Sequence, residues 1–210
     1  MTRLLVVFDV DSTLIEDEVI ELLADAAGTR AEVAAVTDAA MEGKLDFAQS
    51  LAARVATLEG LPESVIADAL GRIRVTQGAE QLIAAIHAAG GKVGAVSGGF
   101  NQLLEPLRER LGLDFIRANQ LEIVDGKLTG RTIGSVIDRP AKATALAEWA
   151  AECRLEPGDC VAVGDGANDL GMMEVAGLAV GFNAKPIIRA QADIVIGKQD
   201  LSQLIPLLGL

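Results

Sequence analysis

The apolar run Leu4-Leu5-Val6-Val7-Phe8 passes directly into Asp9-Val10-Asp11-Ser12-Thr13, and that junction decides how the chain is read. A continuous apolar run is the mark of a strand buried on both faces of a parallel sheet. Its carboxyl end is where open α/β sheets bind ligands. If the strand continues, residues i and i+2 share a face, so Asp9 and Asp11 are expected to aim at one spot. Two such carboxylates repel unless a cation or a shared proton relieves them. The junction therefore predicts a divalent-metal or acid–base site. The plainer alternative is a turn or a helix cap, which Asp-Ser-Thr also favours.

Outward from this junction no strand-like run occurs between about Leu14 and Arg74. Val19, Leu22, Leu23 and Ala26 have helical spacing, as do Phe47, Leu51, Val55 and Leu58. Gly28, Gly43 and Gly60-Leu61-Pro62 punctuate the block into helices. From Gly78 onward helices and strands alternate. Lys92 to Val96 reads as a strand, and Ser97-Gly98-Gly99-Phe100 as the opening of a helix reaching Leu111. Asn119 to Val124 and the run from Lys127, split by Asp125-Gly126, read as a hairpin. A helix is expected from Ala141 to about Glu152. Strands are expected at Cys160–Val163, Leu178–Gly181 and Ile194–Ile196. Alternation of this kind predicts an α/β fold, a Rossmann-like, doubly wound parallel sheet with right-handed crossovers. Residues 1–13 and 75–210 are expected to form the core, and 14–74 a small helical cap inserted after strand 1, over the sheet's carboxyl edge.

The 210 residues suffice for one core plus a modest insertion. Half are hydrophobic but only 3% aromatic, so Ala, Leu, Val and Ile must build the interior. A net charge of −12 argues against non-specific nucleic-acid binding, which needs clustered positive charge. No segment is long enough to span a bilayer, and no signal-peptide layout opens the chain. Cys153 and Cys160 lack metal or redox spacing and read as reduced structural thiols of a cytoplasmic protein. His87 is the single histidine and reads as a helix-surface residue, which excludes a His-based site.

Three strand ends offer polar groups: Asp9 with Asp11, Ser97, and Asp165 with Asn168 and Asp169. Several carboxylate oxygens suit a hard cation such as Mg2+. Ser97-Gly98-Gly99 supplies a hydroxyl and main-chain N–H donors, a natural phosphate seat. Lys142 adds a point positive charge if it is not simply solvated.

Asp9-Val10-Asp11-Ser12-Thr13, Ser97, Lys142 and Gly164-Asp165-Gly166-Ala167-Asn168-Asp169 resemble, in order, the four motifs of the haloacid-dehalogenase-like phosphatase superfamily. Their particular form is similar to that of phosphoserine phosphatases, and the helical block resembles the small cap of that group. Val10 stands where Phe or Met is more usual, and no regulatory domain of the kind some relatives carry accompanies the motifs, which puts feedback control by serine in doubt. The resemblance implies an Mg2+-dependent phosphomonoesterase acting on O-phospho-L-serine, the last step of serine biosynthesis, as a monomer or homodimer with no nucleic-acid or membrane partner. It implies Asp9 as nucleophile and Asp11 as general acid and base. It implies Mg2+ on Asp9, Asp165 and the main-chain carbonyl of Asp11, with Asp169 supporting the metal shell. Ser97, Gly98 and Lys142 would hold the phosphoryl oxygens, and Asn168 would orient substrate or water. Glu18, Phe47 and Arg54 stand where the family places cap contacts, and Glu18 and Arg54 would read the substrate's ammonium and carboxylate. Two other readings stay open: phosphotransfer to an alcohol, or action on another small phosphomonoester such as phosphohomoserine, with the same chemistry, and a non-enzymatic phospho-receiver domain. A receiver needs neither the second acid nor a lid.

Overall fold

Strand β1 (Leu5–Phe8) is buried along its whole length in the computed structural model, which describes residues 3–210. Four helices follow: α1 (Val19–Ala27), α2 (Arg30–Met41), α3 (Phe47–Ala56) and α4 (Ser64–Leu70). Then come α5 (Ala79–Ala88), β2 (Lys92–Phe100), α6 (Asn101–Leu111), β3 (Phe115–Val124) and β4 (Lys127–Ile133). The chain continues through α7 (Arg139–Cys153), β5 (Cys160–Gly164), α8 (Leu170–Val175), β6 (Leu178–Phe182), α9 (Pro186–Arg189), β7 (Ile194–Ile196) and α10 (Leu204–Leu207).

The strands form one sheet in the order β4-β3-β2-β1-β5-β6-β7. All neighbours are parallel except β3 and β4, the Asp125-Gly126 hairpin, which adds an antiparallel edge to the expected parallel sheet. Period-two alternation sorts the strand side chains. Val6 and Phe8 pack into one apolar cluster, Leu5 and Val7 into another on the opposite face with Leu146, Trp149 and Met172. Burial on both faces is what a continuous apolar strand requires.

Register brings the polar strand ends together. Phe8 lies opposite Ala95 of β2 and Val163 of β5, so Asp9, Ser97 and Asp165 leave the sheet near one level. Successive strands depart to opposite sides of β1, which makes this edge the topological switch point.

Regular pairing of β1 stops at Phe8. Beyond it the backbone coils, with Asp11 extended and Ser12 left-handed at φ +58°, so the i, i+2 alternation expected for Asp9 and Asp11 does not apply. A second correction concerns Ser97-Gly98-Gly99. These residues are extended within β2, and the helix starts later, at Asn101, so no helix N-terminus lies at Ser97.

The helical block leaves and rejoins the sheet through paired backbone. Ile15 bridges Val75, with Glu16 N–H donating to Arg74 O at 2.9 Å and Thr76 N–H to Leu14 O at 3.0 Å. Gly28, at φ +71°, closes α1 in the left-handed conformation that glycine adopts without steric cost. Asp46 caps α3 by accepting the Gln49 N–H at 2.9 Å.

His87 lies on the surface, its Nε2 2.9 Å from Asp114 Oδ2. Cys153 and Cys160 are buried and not joined in a disulfide, and burial, with Cys153 nearby, pushes the Cys160 thiol up to about 11. A thiol so raised is a poor nucleophile. Among the described residues no helix is long and apolar enough to cross a membrane.

Candidate active site

Helix α7 places Lys142 one turn from its start, where Asp138 caps the helix by accepting the Ala141 N–H at 3.0 Å. The Lys142 side chain is wholly buried, not solvated, and runs under the end of β1. Its Nζ donates to Asp9 Oδ1 and, at 2.7 Å, to Asp169 Oδ1. Asp169 Oδ2 accepts the main-chain N–H groups of Asp165 at 3.0 Å and Gly166 at 3.1 Å. This approach explains Gly164, where a Cβ would stand 2.3 Å from Asp169 Oδ2. Asp169 therefore ties the lysine to the loop after β5 with both of its oxygens engaged.

Asp9, Asp165 and Asp169 each present a carboxylate oxygen within 4.8 Å of the others, and all three residues are buried. Burial pushes the Asp9 carboxyl up to about 7, reinforced by the Asp169 carboxylate and opposed by Lys142. Burial also holds Asp11 and Asp165 well above the usual carboxylate range, with Glu18 and Asp9 adding to it at Asp11, and Asp9 and Asp169 at Asp165. Burial works against the charge on Lys142, but Asp169 and Asp9 outweigh it and raise its pKa. One lysine faces several buried acids, so the donor set has room for further positive charge. Hard carboxylate oxygens in this number fit a small divalent cation.

Ser97 is buried, and its Oγ accepts the Gly99 N–H at 2.7 Å. Asn168 lines the same enclosure, with its buried Oδ1 unpartnered among the described residues. Asp11 faces the enclosure and accepts a long bond, 3.4 Å, from the Val19 N–H.

The helices roof this floor. Phe47, at the start of α3, sits against Gly98, where a Cβ would approach its Cζ to 2.6 Å. Any larger residue at position 98 would push the roof away. Arg54, two turns further along α3, is only 4% exposed. Its guanidinium donates to Ser50 O at 3.1 Å and Thr37 Oγ1 at 3.0 Å, and stands 6.0 Å from the Phe47 ring centre. Both acceptors are neutral. Burial lowers the Arg54 pKa, while the charges of Glu18 and Asp11 support it. Glu18 accepts the Ser12 hydroxyl at 2.6 Å on Oε1. Burial raises its pKa, and the Ser12 bond opposes that rise.

Asp9, Asp11, Glu18, Phe47, Arg54, Gly98, Asp165 and Asn168 thus line one enclosure between the strand ends and the helices above them. Ser97, Lys142 and Asp169 stand behind its wall, bonded to wall residues. Ile20, Met41, Leu51 and Gly99 also line it. The three apolar ones have the helical spacing of ordinary core residues, so their pattern carries no sign of a site. Thr37 was equally silent in the sequence: a mid-helix threonine whose hydroxyl donates to Val33 O at 2.9 Å while accepting from Arg54.

The family model for haloacid dehalogenase-like hydrolases matches residues 6–174, and the chain belongs to that family. It is 47% identical over 204 residues to the phosphoserine phosphatase of Streptococcus thermophilus, covering 97% of this chain and 95% of that protein. It is 50% identical over 208 residues to the phosphoserine phosphatase of Mycobacterium tuberculosis, covering 99% of this chain but 51% of that protein. The chain thus spans about half the length of the Mycobacterium relative and nearly all of the Streptococcus one. Among solved structures it is similar to a phospho-aspartyl intermediate analogue of phosphoserine phosphatase, with a TM-score of 0.96, 44% identity and 99% of each chain covered.

Proposed function

We propose that this chain hydrolyses O-phospho-L-serine to L-serine and phosphate through an aspartyl-phosphate on Asp9. The observation that carries this reading is the Arg54 guanidinium. It is buried in the same enclosure as Asp9 and Asp11, and its hydrogen bonds go to neutral oxygens. A buried cation without a bonded carboxylate calls for an anionic partner. A substrate carboxylate satisfies it by a forked pair of bonds, and Glu18 offers the matching acceptor for an ammonium group.

The steps follow from the groups present. Asp9 attacks phosphorus as the bond to the serine oxygen breaks. Asp11, whose carboxyl burial raises well above the usual carboxylate range, gives its proton to that leaving oxygen. Water then attacks the aspartyl-phosphate, Asp11 takes its proton, and Asp9 is released with phosphate. Ser97, the Gly98 N–H and Lys142 hold the phosphoryl oxygens as charge shifts among them, and Asn168 orients substrate or water. Asp9, Asp165 and the main-chain carbonyl of Asp11 would hold Mg2+, with Asp169 bracing the loop that presents Asp165. When bound, the ion offsets the charge between nucleophile and phosphate.

In this reading residues 14–74 are a cap and residues 1–13 with 75–210 a core. Two buried cysteines without a disulfide and the small anionic substrate support a cytoplasmic enzyme of serine biosynthesis. Phosphate release from L-phosphoserine, D-phosphoserine, phosphothreonine, phosphohomoserine and an aryl phosphate, with and without Mg2+ and an acceptor alcohol, tests the proposal. A clear lead for L-phosphoserine with Mg2+ is expected. Equal rates on all five, or phosphate appearing on the alcohol rather than in solution, would overturn it.

A further inference from the structure

Strands β2 and β3 lose register beside the site. Val96 lies opposite Arg117 and Phe100 opposite Asn119, so Ser97-Gly98-Gly99 face Ala118 alone. Three residues against one must bow out of the ladder. Their peptide groups then need partners other than the neighbouring strand. Asn119 supplies one. Its side chain is 2% exposed, and its Nδ2 donates to the Gly98 carbonyl at 2.8 Å. Its Oδ1 accepts the Ile137 N–H at 2.8 Å, which fixes the amide so that only the NH2 end faces Gly98.

The Gly98 carbonyl belongs to the same peptide unit as the Gly99 N–H, and that N–H donates to Ser97 Oγ. The bonds therefore run in series from Asn119, through one peptide, to the serine hydroxyl. Bonds in series polarise one another. With one lone pair of Oγ occupied by the Gly99 N–H, the hydroxyl proton is left to point elsewhere. Ser97 Oγ and Asp11 Oδ2 flank one position: a Cβ on Gly99 would lie 3.0 Å from the first and 2.9 Å from the second.

We propose that Asn119 is a positioning residue for phosphoryl transfer, acting through the Gly98–Gly99 peptide to hold the Ser97 hydroxyl as a donor toward the phosphoryl group. This rests on the reading that Ser97 holds a phosphoryl oxygen, not on which alcohol carries the phosphate.

The test compares Asn119→Asp and Asn119→Ala, each alone and combined with Ser97→Ala, on phosphoserine and an aryl phosphate. Asn119→Asp keeps the shape and the acceptor for Ile137 but removes the donor to Gly98. Asn119→Ala introduces no buried charge, so a folding defect in the first leaves the second to decide. Each single variant is expected to lower kcat on both substrates about 10- to 100-fold, at or below the cost of removing a transition-state donor outright. KM should stay within about threefold, because the lost interaction belongs to the transition state. In the Ser97→Ala background the same changes should lower kcat by about threefold or less, since their route is already cut. A purely structural role predicts losses that multiply. Multiplying losses, or kcat retained in a folded single variant, would overturn the proposal alone. A wild-type protein that releases no phosphate from either substrate would overturn it together with the function proposed above.

Discussion

The floor and the roof of the enclosure handle charge in opposite ways. On the floor, Lys142 bonds two carboxylates, and Asp169 passes the restraint on to the backbone of Asp165 and Gly166. On the roof, Arg54 is as buried as Asp9, yet among the described residues it hydrogen-bonds only Ser50 O and Thr37 Oγ1, while Glu18 and Asp11 act on it through charge without a bond. A closed network holds reacting atoms in place before substrate arrives. A buried cation with no hydrogen-bonded carboxylate can take one from a ligand. On the function proposed above, chemistry belongs to the strand ends and selectivity to the inserted helices.

The largest effect should follow from breaking the floor. Asp9→Asn should lower turnover by about 10⁴-fold or more on phosphoserine and aryl phosphate alike, because an amide is a poor nucleophile. Circular dichroism should show the fold retained. A phosphoryl adduct mapped by mass spectrometry to any other residue would remove Asp9 from its role.

Breaking the roof should be milder and selective. Arg54→Ala should cost about 1.5–3 kcal/mol in kcat/KM for phosphoserine, the worth of a charge-assisted contact. Glu18→Gln should act in the same direction through the ammonium. Activity on an aryl phosphate, which has no carboxylate or ammonium, should stay nearly unchanged. Parallel loss of both activities would show that the roof does not read the amino acid.

Metal removal sharpens the contrast further. Asp9 is raised in the folded protein from 3.8 to about 7, mainly by burial. A raised carboxyl stabilises the fold below its unfolded pKa, and that stability is lost as pH rises through the folded value. Asp11, Asp165 and Glu18 are raised too and act with the same sign. Asp25 and Asp114, lowered by surface partners, act only below about pH 4. Metal-free protein should therefore melt at a lower temperature at pH 8 than at pH 5.5, and Mg2+ should narrow the gap. Calorimetry that finds the same melting temperature at both pH values would contradict the excess of buried carboxylate on the floor.

The smallest effect belongs to the exposed tie between the two regions, where Lys185 Nζ meets Asp38 Oδ1 at 2.7 Å. Both side chains reach solvent. Asp38→Asn should change kcat/KM for phosphoserine by about twofold or less, as expected of a screened surface pair. A tenfold loss would mean that this pair, and not the contact of Phe47 on Gly98, holds the roof down.

Much of the floor was legible in the sequence, because strands announce themselves by apolar runs and their polar ends stand out against those runs. Asp9, Ser97 and Asp165 each follow such a run. Local backbone detail was less legible. Ser97-Gly98-Gly99 reads equally well as a helix start, but in the fold it stays extended within β2, where the register to β3 shifts. Lys142 shows the same limit. A lysine on a helix is ordinarily solvated, and nothing near it in the sequence announces Asp9, 133 positions away, or Asp169, 27 positions away.

By itself, then, the sequence determined the α/β alternation, the helical block after the first strand, and the acids at strand ends, since each depends on periodicity within a few turns or one strand. Only the tertiary structure decided that Thr37 steadies Arg54, that Asn119 braces the bulge at Gly98, and that Phe47 requires a glycine beneath it. Those relations join residues 17 to 51 positions apart. Hydrogen bonds and steric contacts of this kind leave no period in the chain, and they come into being only when parallel strands align their ends and the helices close over them.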